Sequence, residues 1–395
     1  MQYKLTAAAA MALCALCTSN AHAQSSVTVF GVIDVGILSQ SNSSNPALGY
    51  LPSASDKGSL REMKDSGLGQ SFWGMRGSED LGNGIKANFN LQGNFLANNG
   101  TAGGPNSTGT PSLFNQPANI GLSGDFGSFQ AGRVISPVYY AFAGTDVRGA
   151  AYFGSMLTAL VGINSATGAF SGASSNATLG SVYNDNAIVY TTPKWNGFEA
   201  SVEYALGGVS GDSSALRQEA ATLTYKSDNL KFDALIYNGN DDGVRAAAAP
   251  SGSNTNRLVS AGILYKIDAL SMSAGYTRGT NPANSGPGMN PAALGDAATT
   301  GAVNLVNLGL GYRVSPQINL TSGAYLIQDE NHSDNKSSLY ALGVDYYLSK
   351  RTELYLEGAS VRNRGSNMNQ APAWAATVTA GVTTSAFMAG VRHMF

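Results

Sequence analysis

The chain has 395 residues, of which 43% are apolar and only 12% charged, and its formal net charge is −2. Soluble domains carry roughly 25% charged residues, so something other than charge must cover this surface. A balance so close to neutral argues against a nucleic-acid partner and provides no bulk field for steering ligands.

The first element is a leader. Lys4 precedes an apolar run from Leu5 to Cys17, and small residues lead to Ala21-His22-Ala23. A basic start, a short hydrophobic run and an A-x-A site predict a signal peptide over 1–23, cut after Ala23. The run falls short of the roughly 20 residues that span a bilayer. Lipid attachment is disfavoured, because Leu13 and Leu16 stand before Cys14 and Cys17 where a small residue is wanted. Both cysteines leave with the leader, which removes disulfide and thiol chemistry from the mature chain.

A strand is predicted next, from Val27 to Leu38. Beyond it the chain divides at seven short turns: Glu79–Gly84, Gly124–Gly127, Pro193–Gly197, Ser227–Leu230, Ile267–Leu270, Ser315–Gln317 and Ser349–Arg351. Each is flanked by alternating segments, as a hairpin requires. Between them lie eight longer stretches rich in Gly, Ser, Asn and Ala, near 39–69, 96–115, 134–182, 207–217, 239–256, 279–302, 328–336 and 362–383. Long and short connections alternate strictly. Fifteen connections give sixteen strands, with fourteen and eighteen as neighbouring alternatives. An even count brings both ends to one rim and lets the first strand pair with the last.

Side-chain parity points to a membrane. Ile85, Ala87, Phe89, Leu91 and Phe95 share one face of their strand, while Lys86, Asn88, Asn90, Gln92 and Asn94 share the other. Val306, Leu308, Leu310, Tyr312 and Val314 repeat the pattern, as do Tyr340, Leu342, Val344, Tyr346 and Leu348. The last strand sets Phe387, Ala389, Val391, His393 and Phe395 on one side. A greasy outer face with a polar inner one is the demand of a transmembrane antiparallel β-barrel, and Tyr312, Tyr346 and Trp195 near strand ends suit its interfacial girdles. The fold class is therefore all-β, with residues 24–395 forming the barrel. No mature stretch supplies the about 18 apolar residues of a membrane helix.

Catalytic groups are scarce. The mature chain has two histidines: His332 in a polar loop and His393 on the apolar face of the last strand. Neither placement offers a base within reach of a nucleophile, so no enzyme is predicted. Metal-ligand spacing is absent. Asp241-Asp242 and Asp329-Glu330 are the acidic pairs that a loop calcium ion would need, though they read more simply as solvated loop charge. No cofactor is expected.

Five stretches resemble a known family: QSSVTVFGVIDVGI at Gln24–Ile37, FWGMRGSEDLGNGIKANFNLQG at Phe72–Gly93, IGLSGDFGSFQAGR at Ile120–Arg133, DNAIVYTTPKWNGFEASVEYA at Asp185–Ala205 and the terminal GVRHMF. They are similar to the trimeric general porins of the Gram-negative outer membrane, especially the beta-proteobacterial type. The resemblance implies a sixteen-stranded barrel, a homotrimer set in outer-membrane lipid and lipopolysaccharide, and passive diffusion of small hydrophilic solutes. It also implies that the third long loop folds into the lumen, with acids facing a ladder of wall arginines. Here Asp146 matches one loop acid, Arg148 stands beside it, and Ala150 takes the place of the second acid. Phe72, Gln116 and Tyr183 stand where the family pattern has wall arginines, while Arg133 and Arg76 match basic positions. These seven residues, Asp146, Arg148, Arg133, Arg76, Phe72, Gln116 and Tyr183, are the expected constriction. Lumen-facing charge then nearly balances, with Arg76, Lys86, Lys226, Lys231, Lys266 and Arg392 against Asp34, Glu199, Glu203, Asp233, Asp345, Glu353 and Glu357. Only weak ion selectivity is expected. Tyr139, Tyr140, Phe142, Tyr152 and Phe153 make the loop aromatic, either as a constriction for uncharged or aromatic solutes or as simple packing. The alternative function is a structural, adhesive or phage-receptor barrel. The absence of an N-terminal plug segment favours the channel.

Overall fold

A computed structural model describes residues 26–43, 58–102, 112–160, 182–240, 255–281, 301–330, 333–365 and 381–395, together with 368, 370–374, 376, 378 and 379. The leader at 1–23, the Asp241-Asp242 pair and His332 lie outside the described residues. The strands are β1 (Ser26–Ser43), β2 (Gly58–Asp65), β3 (Phe72–Gly82), β4 (Ile85–Asn94), β5 (Ala118–Gly124) and β6 (Gly127–Ile135). After helix α1 (Pro137–Thr145) come β7 (Tyr183–Thr191), β8 (Phe198–Ala205), β9 (Gln218–Lys226), β10 (Leu230–Asn240) and β11 (Thr255–Ile267). The chain ends with β12 (Leu270–Asn281), β13 (Gly301–Arg313), β14 (Ile318–Asp329), β15 (Lys336–Tyr347), β16 (Thr352–Arg364) and β17 (Thr383–Met394).

All neighbours are antiparallel, and the sheet closes on itself where β1 pairs with β17, from Val32↔Met394 to Gln40↔Ala386. Seventeen segments fill sixteen strand positions. The lower half of β1 pairs with β3 (Ser26↔Ser78 to Val32↔Phe72) and its upper half with β2 (Val35↔Asp65 to Gln40↔Leu60). Thus β2 and β3 are two halves of one strand. The expected loop over 39–69 is corrected accordingly: it contains the end of β1 and all of β2. The reason is the break at 66–71, whose small residues read as loop. That segment turns onto Asp34, whose buried carboxylate accepts the amides of Gly67 (3.1 Å), Leu68 and Gly69 (both 2.8 Å) and the Tyr355 hydroxyl (2.7 Å).

A Cβ on Gly67 would collide with the Tyr355 ring, and the crowding is rigid because that ring's hydroxyl is held by Asp34. Gly67→Ala is expected to cost about 1–3 kcal/mol through overpacking. Heat-induced loss of the folded band on gels should then occur at lower temperature; an unchanged transition would remove this contact from the account.

All seven short turns lie between consecutive strands at one rim. In two of them Asn-Gly supplies the positive φ values that a tight hairpin demands, at Asn83 (52°) and Gly84 (76°) and at Asn196 (49°) and Gly197 (87°). Parity along the strands holds on the outer face: Leu342 is 66% exposed whereas Leu339 is fully buried. Val306, Leu308, Leu310, Tyr312 and Val314 are all outward, as are Phe387, Val391 and Phe395. Inside, the picture is drier than alternation alone implies. Tyr237, Leu258, Leu305, Tyr325, Leu339 and Val361 point inward and form one buried apolar cluster with Val138, Phe142, Phe153 and Met156 from the connection between β6 and β7. The described part of that connection, residues 136–160, lies against the inner face of the wall: α1 packs on β8–β12, the Val147 amide donates to Ser273 Oγ (3.2 Å), and Arg148 reaches β14 and β16.

Candidate functional site

The long connection after β6 enters the barrel in a fixed way. Ser136 caps α1 by accepting the Val138 amide, and Pro137 occupies the first turn, where a missing N–H costs nothing. After α1 the chain turns at Asp146, and two groups of contacts follow on opposite sides of it.

The first group fastens the connection to the wall. Asp146, 4% exposed, accepts the amides of Arg148 (3.0 Å) and Met156 (2.8 Å) and the Tyr325 hydroxyl (2.9 and 3.0 Å). Arg148 runs deeper. Its guanidinium pairs with Glu357 at 2.5 Å and donates to Thr321 Oγ1 (2.9 Å) and to the carbonyls of Gly154 (2.5 Å) and Phe153 (2.8 Å). Burial opposes the charge on Arg148, but Glu357, with Tyr325 and Asp146, more than offsets it and lifts the guanidinium above its ordinary value. Neither residue faces open lumen. The expected neighbours Asp146 and Arg148 meet through a backbone amide, while the guanidinium takes a carboxylate 209 residues away.

The second group lies across the lumen. Arg133 donates from Nε to the Asn115 carbonyl (2.7 Å), pairs with Asp185, and sits 5.2 Å above the Tyr183 ring. Gln116, 3% exposed, donates to Gln70 Oε1 (2.6 Å), which also accepts the Tyr152 hydroxyl (3.3 Å). Tyr139 and Tyr140 from α1 make an edge-to-face pair at 5.9 Å, with Tyr140 56% exposed. Burial, then the phenols of Tyr183 and Tyr139, push the Tyr152 hydroxyl well above its usual range, and Tyr139 in turn feels the Arg392 guanidinium. Four phenols therefore share one region with Arg133 and Arg392. Arg133, Gln116 and Tyr183 come together here. Phe72 and Arg76 lie elsewhere, both against Phe30: Phe72 edge-on at 5.9 Å, and Arg76 above the ring at 4.7 Å.

Sequence reasoning did not find Gln70, which hides in the break between β2 and β3, nor the part played by residues 370–374. Phe153 bridges Ala373, Gly154 donates to the Pro372 carbonyl (2.8 Å), Trp374 donates to the Tyr152 carbonyl (2.7 Å), and the Tyr152 and Trp374 rings lie 5.5 Å apart. A proline and a tryptophan in a stretch otherwise built of small residues were the available signal. Asp329, with the Asn335 side chain 3.3 Å from its carboxylate, and Glu330, paired with Arg278 at 2.7 Å, are engaged by protein groups. No cluster of metal ligands occurs among the described residues.

The electrostatic consequence is neutrality at four positions. Four cations of the lumen side sit beside acids: Arg133 with Asp185, Arg148 with Glu357, Lys231 with Asp233 (3.0 Å) and Arg392 with Glu353 (2.9 Å). Paired charges a few ångströms apart cancel at the distance of a passing ion, whereas opposed charges across a gap do not.

A sequence model described as Gram-negative porin matches residues 7–366. The chain is 27% identical over 392 residues to Outer membrane porin protein 32 of Delftia acidovorans, covering 98% of this chain and 99% of that one. It is 26% identical over 391 residues to an outer membrane porin protein of Bordetella pertussis, covering 90% of this chain and 93% of that one. Among solved structures it is similar to the anion-selective porin from Comamonas acidovorans, with a TM-score of 0.74 and 24% identity, covering 94% of this chain and all of the other.

Proposed function

Since the chain belongs to the Gram-negative porin family and forms a β-barrel of the outer membrane, we propose that it is a homotrimeric diffusion channel for small hydrophilic solutes, only weakly selective between ions. The observation that carries this reading is the pairing of wall charges. Phe72, Gln116 and Tyr183 stand where the family resemblance implies cations, and each of Arg133, Arg148 and Arg392 has a carboxylate within a salt bridge. A transverse field strong enough to sort ions needs unpaired charges facing one another. Exposed apolar outer faces on β1 (Val27, Val29, Ile37) and β17 (Phe387, Val391) provide a surface for either a neighbouring subunit or lipid.

Single-channel recording of the refolded protein in a planar bilayer tests the reading. Current should rise in groups of three steps, and a salt gradient should give a small reversal potential. A reversal potential near the full Nernst value of either sign would overturn weak selectivity. Stable insertion without current would favour the adhesive or receptor reading instead.

A further inference from the structure

From the side of the constriction opposite the buried Arg148 we infer that this channel has a binding step for uncharged, ring-shaped sugars: neutral pyranoses stack on the phenols of α1 and hydrogen-bond to the facing amides. The inference rests on the diffusion-channel reading and names its preferred solute class.

Three features of the region converge on this chemistry. First, aromatic surface remains available where solute would pass: Tyr140 is 56% exposed, although it also makes an edge-to-face contact with Tyr139. The C–H face of a pyranose packs on such a ring, which presents a flat apolar surface beside a polar hydroxyl. Second, the wall opposite is made of neutral hydrogen-bonding groups. A recess of about 130 Å³ beside Tyr140 is lined in part by Asn88, Asn90, Asn119 and Gln130, and Gln70 and Gln116 stand beyond it at the Tyr152 hydroxyl. Amides and phenols both donate and accept, which suits a solute whose edge is a row of hydroxyl groups.

Third, two of the cations nearby are already matched, while Arg76, across the ladder from Asn90, lies over the Phe30 ring. Arg133 and Arg392 are engaged by Asp185 and Glu353. A charged solute would gain little from them and would lose part of its hydration in the narrow region, whereas a neutral polyol exchanges water for protein groups of the same kind. Fixing the phenols adds to this. Tyr152 is held by Gln70, by the Trp374 ring and by the Trp374 amide on its carbonyl, so the ring is placed before solute arrives.

The test is current block in planar bilayers. Maltose, linear sorbitol and gluconate are added in turn to channels conducting potassium chloride, each at matched viscosity. Maltose should produce concentration-dependent current noise or closure, and sorbitol, lacking a ring face, should not. Tyr140→Ala should raise the half-blocking maltose concentration about fivefold, and Tyr140→Phe should change it less, because the ring survives. Equal attenuation by maltose and sorbitol, block by gluconate alone, or a Tyr140→Ala channel with unaltered maltose block would each overturn the inference while leaving the channel in place. No current in salt alone would overturn the channel reading and this one with it.

Discussion

Glu357→Ala is expected to lower the stability of the folded barrel by about 3–5 kcal/mol and to enlarge the pore, the strongest single effect among inner-wall substitutions. The magnitude follows from what remains. With the carboxylate gone, Arg148 keeps the hydroxyl of Thr321 and the carbonyls of Phe153 and Gly154, but its side chain is only 1% exposed and loses its one salt-bridge partner, leaving only the more distant Asp146, itself engaged by two amides and Tyr325. An uncompensated buried charge of this kind costs far more than the intact pair ever contributed. The guanidinium must then find water, and the way to water is for residues 146–157 to leave the wall.

That displacement has a functional readout separate from stability. The connection is fastened at Asp146–Tyr325, at Arg148–Glu357 and through the apolar cluster around Phe153 and Met156. Losing the second fastening should give larger and noisier unitary conductance alongside a lower heat-denaturation temperature. The double variant Arg148→Ala with Glu357→Ala should recover much of the stability, since no charge is stranded, while the larger conductance persists. If the single variant matched the parent in both measurements, the pair would not be what holds the loop.

Much of the barrel was legible because its rules are local. A hairpin turn is a few residues, as at Asn83-Gly84 and Asn196-Gly197, and outward parity repeats every second residue through Leu308, Leu310 and Tyr312. What escaped was non-local. β2 was hidden because its neighbourhood lacks the apolar alternation of a lipid-facing strand, and only Asp34, over thirty residues upstream, explains why the chain breaks at 66–71. Leu305, Tyr325 and Leu339 are apolar on what should be a wet face. That makes sense only once Phe142, Phe153 and Met156 are laid against them. At the site, Phe72, Gln116 and Tyr183 could be singled out only through the family resemblance. The partner of Arg148 could not, because several acids on several strands were equally eligible and parity does not choose among them.

Asp185→Asn should shift the ion preference of the channel toward anions. Arg133 keeps its position in this variant, since its Nε still donates to the Asn115 carbonyl at 2.7 Å and its plane still lies over Tyr183 at 5.2 Å. Asparagine preserves shape and can still meet Arg133 through its carbonyl oxygen, so folding should be little affected. What changes is one full charge per subunit. In a wet lumen a unit charge at about 4 Å attracts an anion and repels a cation by about 1 kcal/mol each, and the difference of about 2 kcal/mol amounts to roughly a thirtyfold change in the ratio of anion to cation permeability. The reversal potential under a salt gradient should move toward the anion value at ionic strength near 0.1 M and retreat at 1 M, where the screening length falls from about 10 Å to about 3 Å. Adding Arg133→Gln should cancel the shift. A variant whose reversal potential matched the parent's at low salt would place the Arg133–Asp185 pair away from the ion path.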